Sequence, residues 1–203
     1  MHYAPLRLAL VASLLIAPAP VFAQNFSAGY KFLDAVRGAK GNEIVEILNQ
    51  PGTTVVNTRD RVTGDGALHI VTKRSDSLYL RFLLQKNANP NLQDKDGNTP
   101  MMLAVENSFG EGVDTLALYK ADVNLANSSG ETPLIRAVQR RNLDMVRRLL
   151  KLGANPDQKD IIAGRSAREY ARLDTRSPAI QKLIDAEPVQ DTKRPRVISG
   201  PVL

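Results

Sequence analysis

The chain has 203 residues, of which 43% are hydrophobic, 24% charged and 5% aromatic, and its formal net charge is +6. Such a length and composition are typical of one folded, helix-rich domain or one short repeat array. The sequence has no cysteine, which excludes disulfides, thiolate nucleophiles and cysteine-ligated metals, and its two histidines, His2 and His69, are too few for a histidine metal cluster.

The N-terminus has the order of features that is typical of a secretory signal peptide. Arg7 precedes an apolar run from Leu8 to Ala17, which is shorter than the roughly twenty residues of a membrane-spanning helix. Val21-Phe22-Ala23 then supplies small residues at the −3 and −1 positions of a signal peptidase site. We therefore predict cleavage between Ala23 and Gln24, export to the periplasm or beyond, and no stable membrane anchor. A buried N-terminal helix is the alternative interpretation.

A period of about 33 residues runs through the rest of the chain. Thr99-Pro100-Met101 recurs one period later as Thr132-Pro133-Leu134. The same step, to within one position, separates a series of small residues, each followed twelve positions later by a leucine. The small residues are Val71, Ala104, Ala137 and Ala171, and the leucines are Leu83, Leu116, Leu149 and Leu183. A fixed period of this length indicates a repeat architecture in which each unit is one supersecondary structure.

The repeats resemble those of the ankyrin repeat family. Asp94 to Ala104 (DKDGNTPMMLA) is similar to the family's D-x-x-G-x-T-P-L-H-x-A start, and Leu149 to Asp157 (LLKLGANPD) is similar to its L-L-x-x-G-A-x-x-N end. The resemblance implies an all-α solenoid of about five helix-turn-helix repeats with hairpin loops. It also implies a protein-binding function, without catalysis and without a cofactor.

The period sets the predicted domain boundaries. We predict a signal peptide over 1–23, an ankyrin repeat domain over 24–186 and a disordered, mildly basic tail over 187–203. The repeats are predicted at 26–60, 61–93, 94–126, 127–160 and 161–186. The first and last are degenerate, as expected of terminal repeats that have one solvated face. Gly110 and Gly112 enter the second helix of the third repeat, and the sequence leaves open whether they distort it.

Local residue choice agrees with this arrangement. Thr99 and Thr132 are suited to helix N-caps, because a threonine hydroxyl can accept a hydrogen bond from a free amide of the first turn. Pro100 and Pro133 then fall at the first helical position, where a missing N–H costs nothing. Gly153 follows a second helix, at the position that favours a left-handed residue.

Candidate chemical groups are few. The resemblance places His69 in the family's T-P-L-H motif, where the imidazole ties the turn to the preceding hairpin, and a catalytic base or metal ligand is the alternative role. Asp94-x-Asp96-Gly97 begins like a calcium loop, but Val105 stands where that loop needs a bidentate glutamate. We therefore predict a turn at these aspartates, and we assign no catalytic residue and no metal ligand.

The concave surface is the predicted binding site for a partner, since the resemblance places the inner-helix ends and hairpin tips there. The helix ends carry Lys73, Arg74, Glu106, Asn107, Gln139 and Arg140, and the tips carry Lys95, Asp96, Asn98, Ser128, Ser129 and Glu131. An ordinary solvated face is the alternative for each residue. Reversing the charges of Lys73, Arg74 and Arg140 is the test of the surface that the sequence suggests.

The expected function is that of a monomeric, periplasmic adaptor of a Gram-negative bacterium with a protein partner. Two alternatives stay open: a secreted effector that acts on host or competitor proteins, and an accessory factor that supports a periplasmic enzyme. Nucleic acid is not an expected partner, because the positive charge is spread along the chain and stacking aromatic residues are few. The basic tail adds only weak attraction to acidic lipids, about 1 kcal/mol per basic residue.

Overall fold

The structure, a computed structural model, describes residues 21–189, and it describes side chains from Ala28 onward. Most of the predicted signal peptide (1–20) and most of the predicted tail (190–203) lie outside the described residues. Within 21–189 the chain forms ten α-helices and one 3₁₀ helix, and no strand. None of the helices in this part of the chain is both long and apolar enough to cross a membrane.

The α-helices come in five consecutive pairs. The pairs are α1 (Val21–Arg37) with α2 (Gly41–Leu48), α3 (Ala67–Lys73) with α4 (Ser77–Gln85), α5 (Pro100–Glu106) with α6 (Gly110–Leu118), α7 (Pro133–Gln139) with α8 (Leu143–Lys151), and α9 (Ala167–Leu173) with α10 (Pro178–Asp185). The 3₁₀ helix, Val55–Asn57, lies between the first and second pairs. The prediction of an all-α solenoid of about five helix-turn-helix repeats is confirmed.

The first helix of each central pair begins where the sequence predicts. Thr99 Oγ1 accepts a hydrogen bond from Met102 N–H at 3.3 Å, and Thr132 Oγ1 accepts one from Ile135 N–H at 3.2 Å. The prolines that follow occupy the first helical turn. In α9, Ser166 takes the same position, and Glu169 accepts in return from its N–H at 2.8 Å. Each cap satisfies an amide that the helix leaves free.

The period is also visible in the backbone angles. Ser75, Ser108 and Arg141 each have a φ of +55° in the turn between the two helices of their repeats. The residues that follow the second helices, Asn87, Lys120 and Gly153, also have positive φ. The prediction for Gly153 is therefore confirmed, and the same turn forms in the neighbouring repeats without glycine.

The two glycines of the third repeat leave its second helix intact. The helix α6 has nine residues, as do α4 and α8. A Cβ at Gly112 would lie 2.3 Å from the ring of Phe109, which is almost fully buried. A Cβ at Gly110 would lie 3.1 Å from the guanidinium of Arg148. The glycines therefore make room for these two large side chains.

One apolar core runs along the stack, from Phe32 in α1 to Ile184 in α10. Both helices of a repeat contribute, as fully buried Leu134 of α7 and Leu149 of α8 show. The first helices of consecutive repeats contact each other more extensively than the second helices do. The stack therefore curves, with α3, α5, α7 and α9 along its inner, concave side.

Candidate protein-binding surface

A ladder of backbone hydrogen bonds joins the hairpin loops along one edge of the concave side. Each loop donates one N–H to a carbonyl of the loop before it, at 3.0 Å in all three cases. The bonds run from Lys95 to Thr63, from Ser128 to Asp96 and from Ile161 to Ser129. Since donors one repeat apart make equivalent bonds, the ladder fixes the spacing of the hairpin tips.

Carboxylate and amide side chains close the individual loops. Asp94 Oδ1 accepts from the N–H groups of Asp96 and Asn98, at 2.9 and 2.8 Å. Asn127 makes the equivalent pair of bonds in the next loop. Asp60 accepts from two loop amides and pairs with Arg37, and these bonds lower its pKa to about 2. The aspartates shape the turns, as predicted. Among the described residues, no group of three or more His, Asp or Glu side chains is placed to hold a metal ion.

Four of the predicted binding residues lie at the tips with exposed side chains: Lys95, Asp96, Ser128 and Ser129. Neither Lys95 nor Asp96 forms an ion pair within the described part of the chain. Their backbones belong to the ladder, while their side chains remain available to solvent. These residues have the properties that a binding surface requires, a fixed backbone and unengaged side chains.

Four other predicted residues have structural contacts within the chain, and their role in recognising a partner stays a prediction. Arg74 Nη1 donates to the Val36 carbonyl at 2.6 Å, which ties α3 to the end of α1. Asn107 Nδ2 donates to the Thr72 and Lys73 carbonyls. The side chains of Asn98 and Glu131 are bonded within and between the hairpin loops.

The remaining predicted residues lie at the inner-helix ends, where the charged ones are paired. Lys73 Nζ lies 2.7 Å from an Asp65 carboxylate oxygen. Glu106 lies between two arginines, 3.3 Å from Arg136 and 3.8 Å from Arg140. Gln139 is exposed beside them. The charges in the middle of the concave side are therefore close to balanced. Sequence reasoning did not anticipate this balance, because the partners of Glu106 come from the next repeat.

His69 is fully buried and both of its ring nitrogens are engaged. Nδ1 accepts from Gly66 N–H at 3.1 Å, and Nε2 lies 3.0 Å from the Asn98 carbonyl. Gly66 ends the hairpin loop before α3, which agrees with the expected link to the preceding hairpin, and Asn98 adds a link to the following hairpin. Desolvation lowers the pKa of the imidazole, which stays neutral and donates through Nε2–H. His69 is a structural residue that joins two repeats.

Sequence reasoning missed three exposed aliphatic residues in the last repeat. Ile161 and Ile162 occupy the tip positions of Ser128 and Ser129, and Leu173 ends α9 as Gln139 ends α7. All three are largely exposed. The register of the repeats was the signal that could have found them, because it aligns each with a polar residue of the preceding repeat.

Comparison with known protein families gives two overlapping matches. Residues 32–127 match the family described as ankyrin repeats in three copies, and residues 116–171 match the one described as ankyrin repeats in many copies. Together the matches extend from α1 into α9 and include all of the exposed hairpin tips described above.

Individual relatives come from bacteria, viruses and animals. An ankyrin repeat protein of Rickettsia felis is 28% identical over 138 residues, which cover 64% of this chain and 56% of that protein. The ankyrin repeat protein FPV031 of fowlpox virus is 34% identical over 88 residues, which cover 43% of this chain and 26% of the viral protein. The nuclear factor NF-kappa-B p110 subunit of Drosophila melanogaster is 31% identical over 141 residues, which cover 66% of this chain and 14% of that protein. The similarity thus spans little more than half of the first relative and a smaller part of the others.

Proposed function

The chain belongs to the ankyrin repeat family, and from that premise we propose that it is a non-catalytic adaptor that is exported to the periplasm and binds a protein partner across its concave side. Ankyrin repeats indicate protein–protein interaction, and this is the general role that the family assigns. The location, the binding surface and the absence of catalysis are the parts that we propose.

The observation that carries the proposal is the ladder of hairpin loops. Its backbone hydrogen bonds hold the tips of Lys95, Asp96, Ser128 and Ser129 on one edge while their side chains stay exposed. A surface that is already ordered loses little conformational freedom when it binds, so more of the interaction energy appears as affinity. The tips are therefore suited to recognising another protein.

The state of His69 supports a non-catalytic role. It is the residue in the described chain with the side chain best suited to acid–base work near neutral pH, yet it is fully buried between two repeats. Its two nitrogens bond to Gly66 and Asn98, so a substrate has no access to either of them.

Export is proposed from the N-terminal sequence. Arg7, the apolar run and the small residues before Gln24 form the pattern of a cleaved signal peptide. Cleavage after Ala23 would shorten α1, which begins at Val21, by three residues. The family includes a bacterial relative, the Rickettsia felis protein.

Affinity purification from a Gram-negative host tests the adaptor role. The full-length gene is expressed with a C-terminal tag, cells are treated with a membrane-permeant crosslinker, and the periplasmic fraction is purified. The tip variant Lys95→Glu/Asp96→Lys is run beside a control, Glu46→Lys/Lys182→Glu, which exchanges the same charges at exposed positions of α2 and α10.

We expect one discrete protein to copurify with the wild type and the control, and to be lost with the tip variant. Equal recovery with all three proteins would contradict binding at the tips. Absence of the tagged chain from the periplasm and the culture medium would contradict export. A chain found mainly in the medium would support the secreted effector, the alternative named above.

A further inference from the structure

The last hairpin tip is the most apolar of the four, since both of its first two residues are aliphatic, whereas the first tip has one exposed aliphatic residue there, Val62. The first two residues of the four tips are Val62-Thr63, Lys95-Asp96, Ser128-Ser129 and Ile161-Ile162. Ile161 and Ile162 are 71% and 79% exposed. Two adjacent aliphatic side chains in a solvated loop do not increase solubility, so their exposure calls for another explanation. Their position is fixed by the hydrogen bond from Ile161 N–H to the Ser129 carbonyl.

A third aliphatic side chain lies in the same repeat. Leu173 is 62% exposed at the end of α9, where the earlier inner helices end in Lys73, Glu106 and Gln139. It lines two shallow depressions of about 370 and 380 Å³, and Arg165 lines both of them as well. The two depressions therefore adjoin, and Arg165 follows the tip residue Ile162 by three positions in the chain.

The surface of these depressions carries an excess of positive charge. Its lining includes four arginines and two carboxylates, Glu169 and Asp174, and a third carboxylate outside the lining, Asp185, pairs with Arg172. Glu169 is paired with Lys159, and Asp174 is shared by Arg141 and Arg176. Arg165 is exposed and has no carboxylate partner among the described residues. The middle of the concave side, where the charges of Lys73, Glu106 and their neighbours are paired, has no such excess.

We propose that the last repeat anchors an acidic segment of the protein partner, one that alternates carboxylates with aliphatic side chains, through Ile161 and Ile162 at its tip and through Leu173 and Arg165 in the depressions. The proposal rests on the proposed function and specifies the chemistry of the partner. Exposed aliphatic groups gain from burial against similar groups, while the guanidinium of Arg165 offers paired donors that suit a carboxylate. The chain's own tail has the wrong charge for this surface, since Lys193, Arg194 and Arg196 are basic.

A library of random 12-residue peptides displayed on phage is the probe. It is selected on the immobilised full chain, and a recovered peptide is then synthesised and its Kd measured by fluorescence anisotropy. The test variants are Ile161→Ser/Ile162→Ser and Arg165→Glu. The matched controls are Leu78→Ser/Leu118→Ser, which alters equally exposed residues of the second helices, and Lys31→Glu on α1. Far-ultraviolet circular dichroism checks that each variant is folded.

We expect the recovered peptides to be rich in aspartate or glutamate together with leucine, isoleucine or valine. Each test variant should weaken binding about tenfold or more, as the loss of a central anchor does, and the controls should not. Basic peptides, or no enrichment at all, would overturn the proposal. Peptides that bind the test variants normally but lose affinity for Lys95→Glu/Asp96→Lys would also overturn it, while leaving the proposed adaptor function in place.

Discussion

Arg168 and Asp157 form a buried two-point ion pair, with Nε 2.7 Å from Oδ1 and Nη2 3.2 Å from Oδ2. The same guanidinium donates to the Ile184 carbonyl at 2.6 Å and to the Glu187 carbonyl at 3.1 Å. Arg168 therefore joins the loop before α9 to the end of α10. Its position in the repeat is that of Leu134 in α7, which is a core leucine. In the last repeat this position therefore holds a buried arginine whose polar contacts close the end of the stack; we call these contacts the polar closure.

Removing this closure is expected to destabilise the last repeat strongly. The Arg168→Leu variant leaves Asp157 without its buried partner, and breaking such a pair costs about 3–5 kcal/mol of the free energy of unfolding. Urea denaturation measures the loss. Arg172→Ala, which removes an exposed arginine one turn away, should change the value by less than about 0.5 kcal/mol.

Adding Asp157→Asn to the Arg168→Leu variant should recover part of the lost stability, because it removes the carboxylate charge that Arg168 neutralises in the wild type. A single Arg168→Leu variant as stable as the wild type would show that leucine suits this position as well as it suits position 134, and that the ion pair does not close the stack.

Arg74 should behave as a structural residue rather than a binding residue. Arg74→Glu replaces the donor to the Val36 carbonyl with a negative charge beside Asp76, so we expect a loss of about 1–3 kcal/mol in the free energy of unfolding. Lys95→Glu at the exposed tip should stay within about 0.5 kcal/mol of the wild type. The two variants are compared by urea denaturation. Equal stability of the two variants would contradict a structural role for Arg74 and would leave partner binding as its predicted role.

This result bears on the sequence-based test of the concave side. A triple reversal of Lys73, Arg74 and Arg140 would mix a folding defect with any loss of binding, because Arg74 also holds α3 against α1. The exposed tips offer the cleaner substitution.

Stability should fall as the pH is lowered below neutrality, because of His69. Burial lowers the pKa of the folded imidazole below its ordinary value of 6.5. The unfolded chain therefore binds a proton that the folded chain does not, and stability that is fully present above pH 6.5 is lost as the pH falls through the folded pKa. Urea denaturation at pH 7.5 and pH 5.0 should show this loss in the wild type.

The His69→Gln variant is the control for that pH dependence. It is less stable at every pH, but it lacks the titrating group, so its loss between pH 7.5 and pH 5.0 should be smaller. The carboxylates with lowered pKa, Asp60, Asp160 and Glu169, contribute stability that is lost as the pH falls below their ordinary pKa values of 3.8 to 4.5. An equal loss in the variant and the wild type would mean that other groups cause the dependence.

Lys120 has a φ of +63°, a left-handed conformation that costs a side-chain-bearing residue about 1–2 kcal/mol. The Lys120→Gly variant relieves this strain but gains entropy in the unfolded state, so the expected net stabilisation is about 0.5–1 kcal/mol. Thermal unfolding measures the change. Gly153→Ala, at the equivalent position with a φ of +86°, should destabilise instead. A stabilised Gly153→Ala would contradict the strain argument.

The fold could be predicted from the sequence because its signals are local and repeated. The caps at Thr99 and Thr132 and the left-handed Gly153 depend on residues within one turn, and all three are confirmed. Gly112 departs from the repeat pattern because it has no side chain, and the ring of the neighbouring Phe109 fills the space that a side chain there would occupy. Such compensation depends on packing in three dimensions, which is why the sequence left the integrity of α6 open.

The binding surface was harder to predict, because the role of a polar residue there depends on its neighbours in the next repeat. Asn107 and Arg74 resemble exposed recognition residues in the sequence, yet each bonds to carbonyls of the preceding inner helix. The partner of Asn107 lies 35 residues away along the chain. The period of the repeats shows that such positions are equivalent, but not which of them are already engaged.

Site-specific photocrosslinking in living cells would show which side of the stack meets the partner. Benzoylphenylalanine is placed at Ser129 on the hairpin ladder in one strain and at Leu118 on the opposite, second-helix side in another, both at exposed positions. If the concave side is the binding surface, irradiation gives a discrete crosslinked protein from position 129 and none from position 118. The same crosslinked protein from position 118 alone would contradict binding at the ladder.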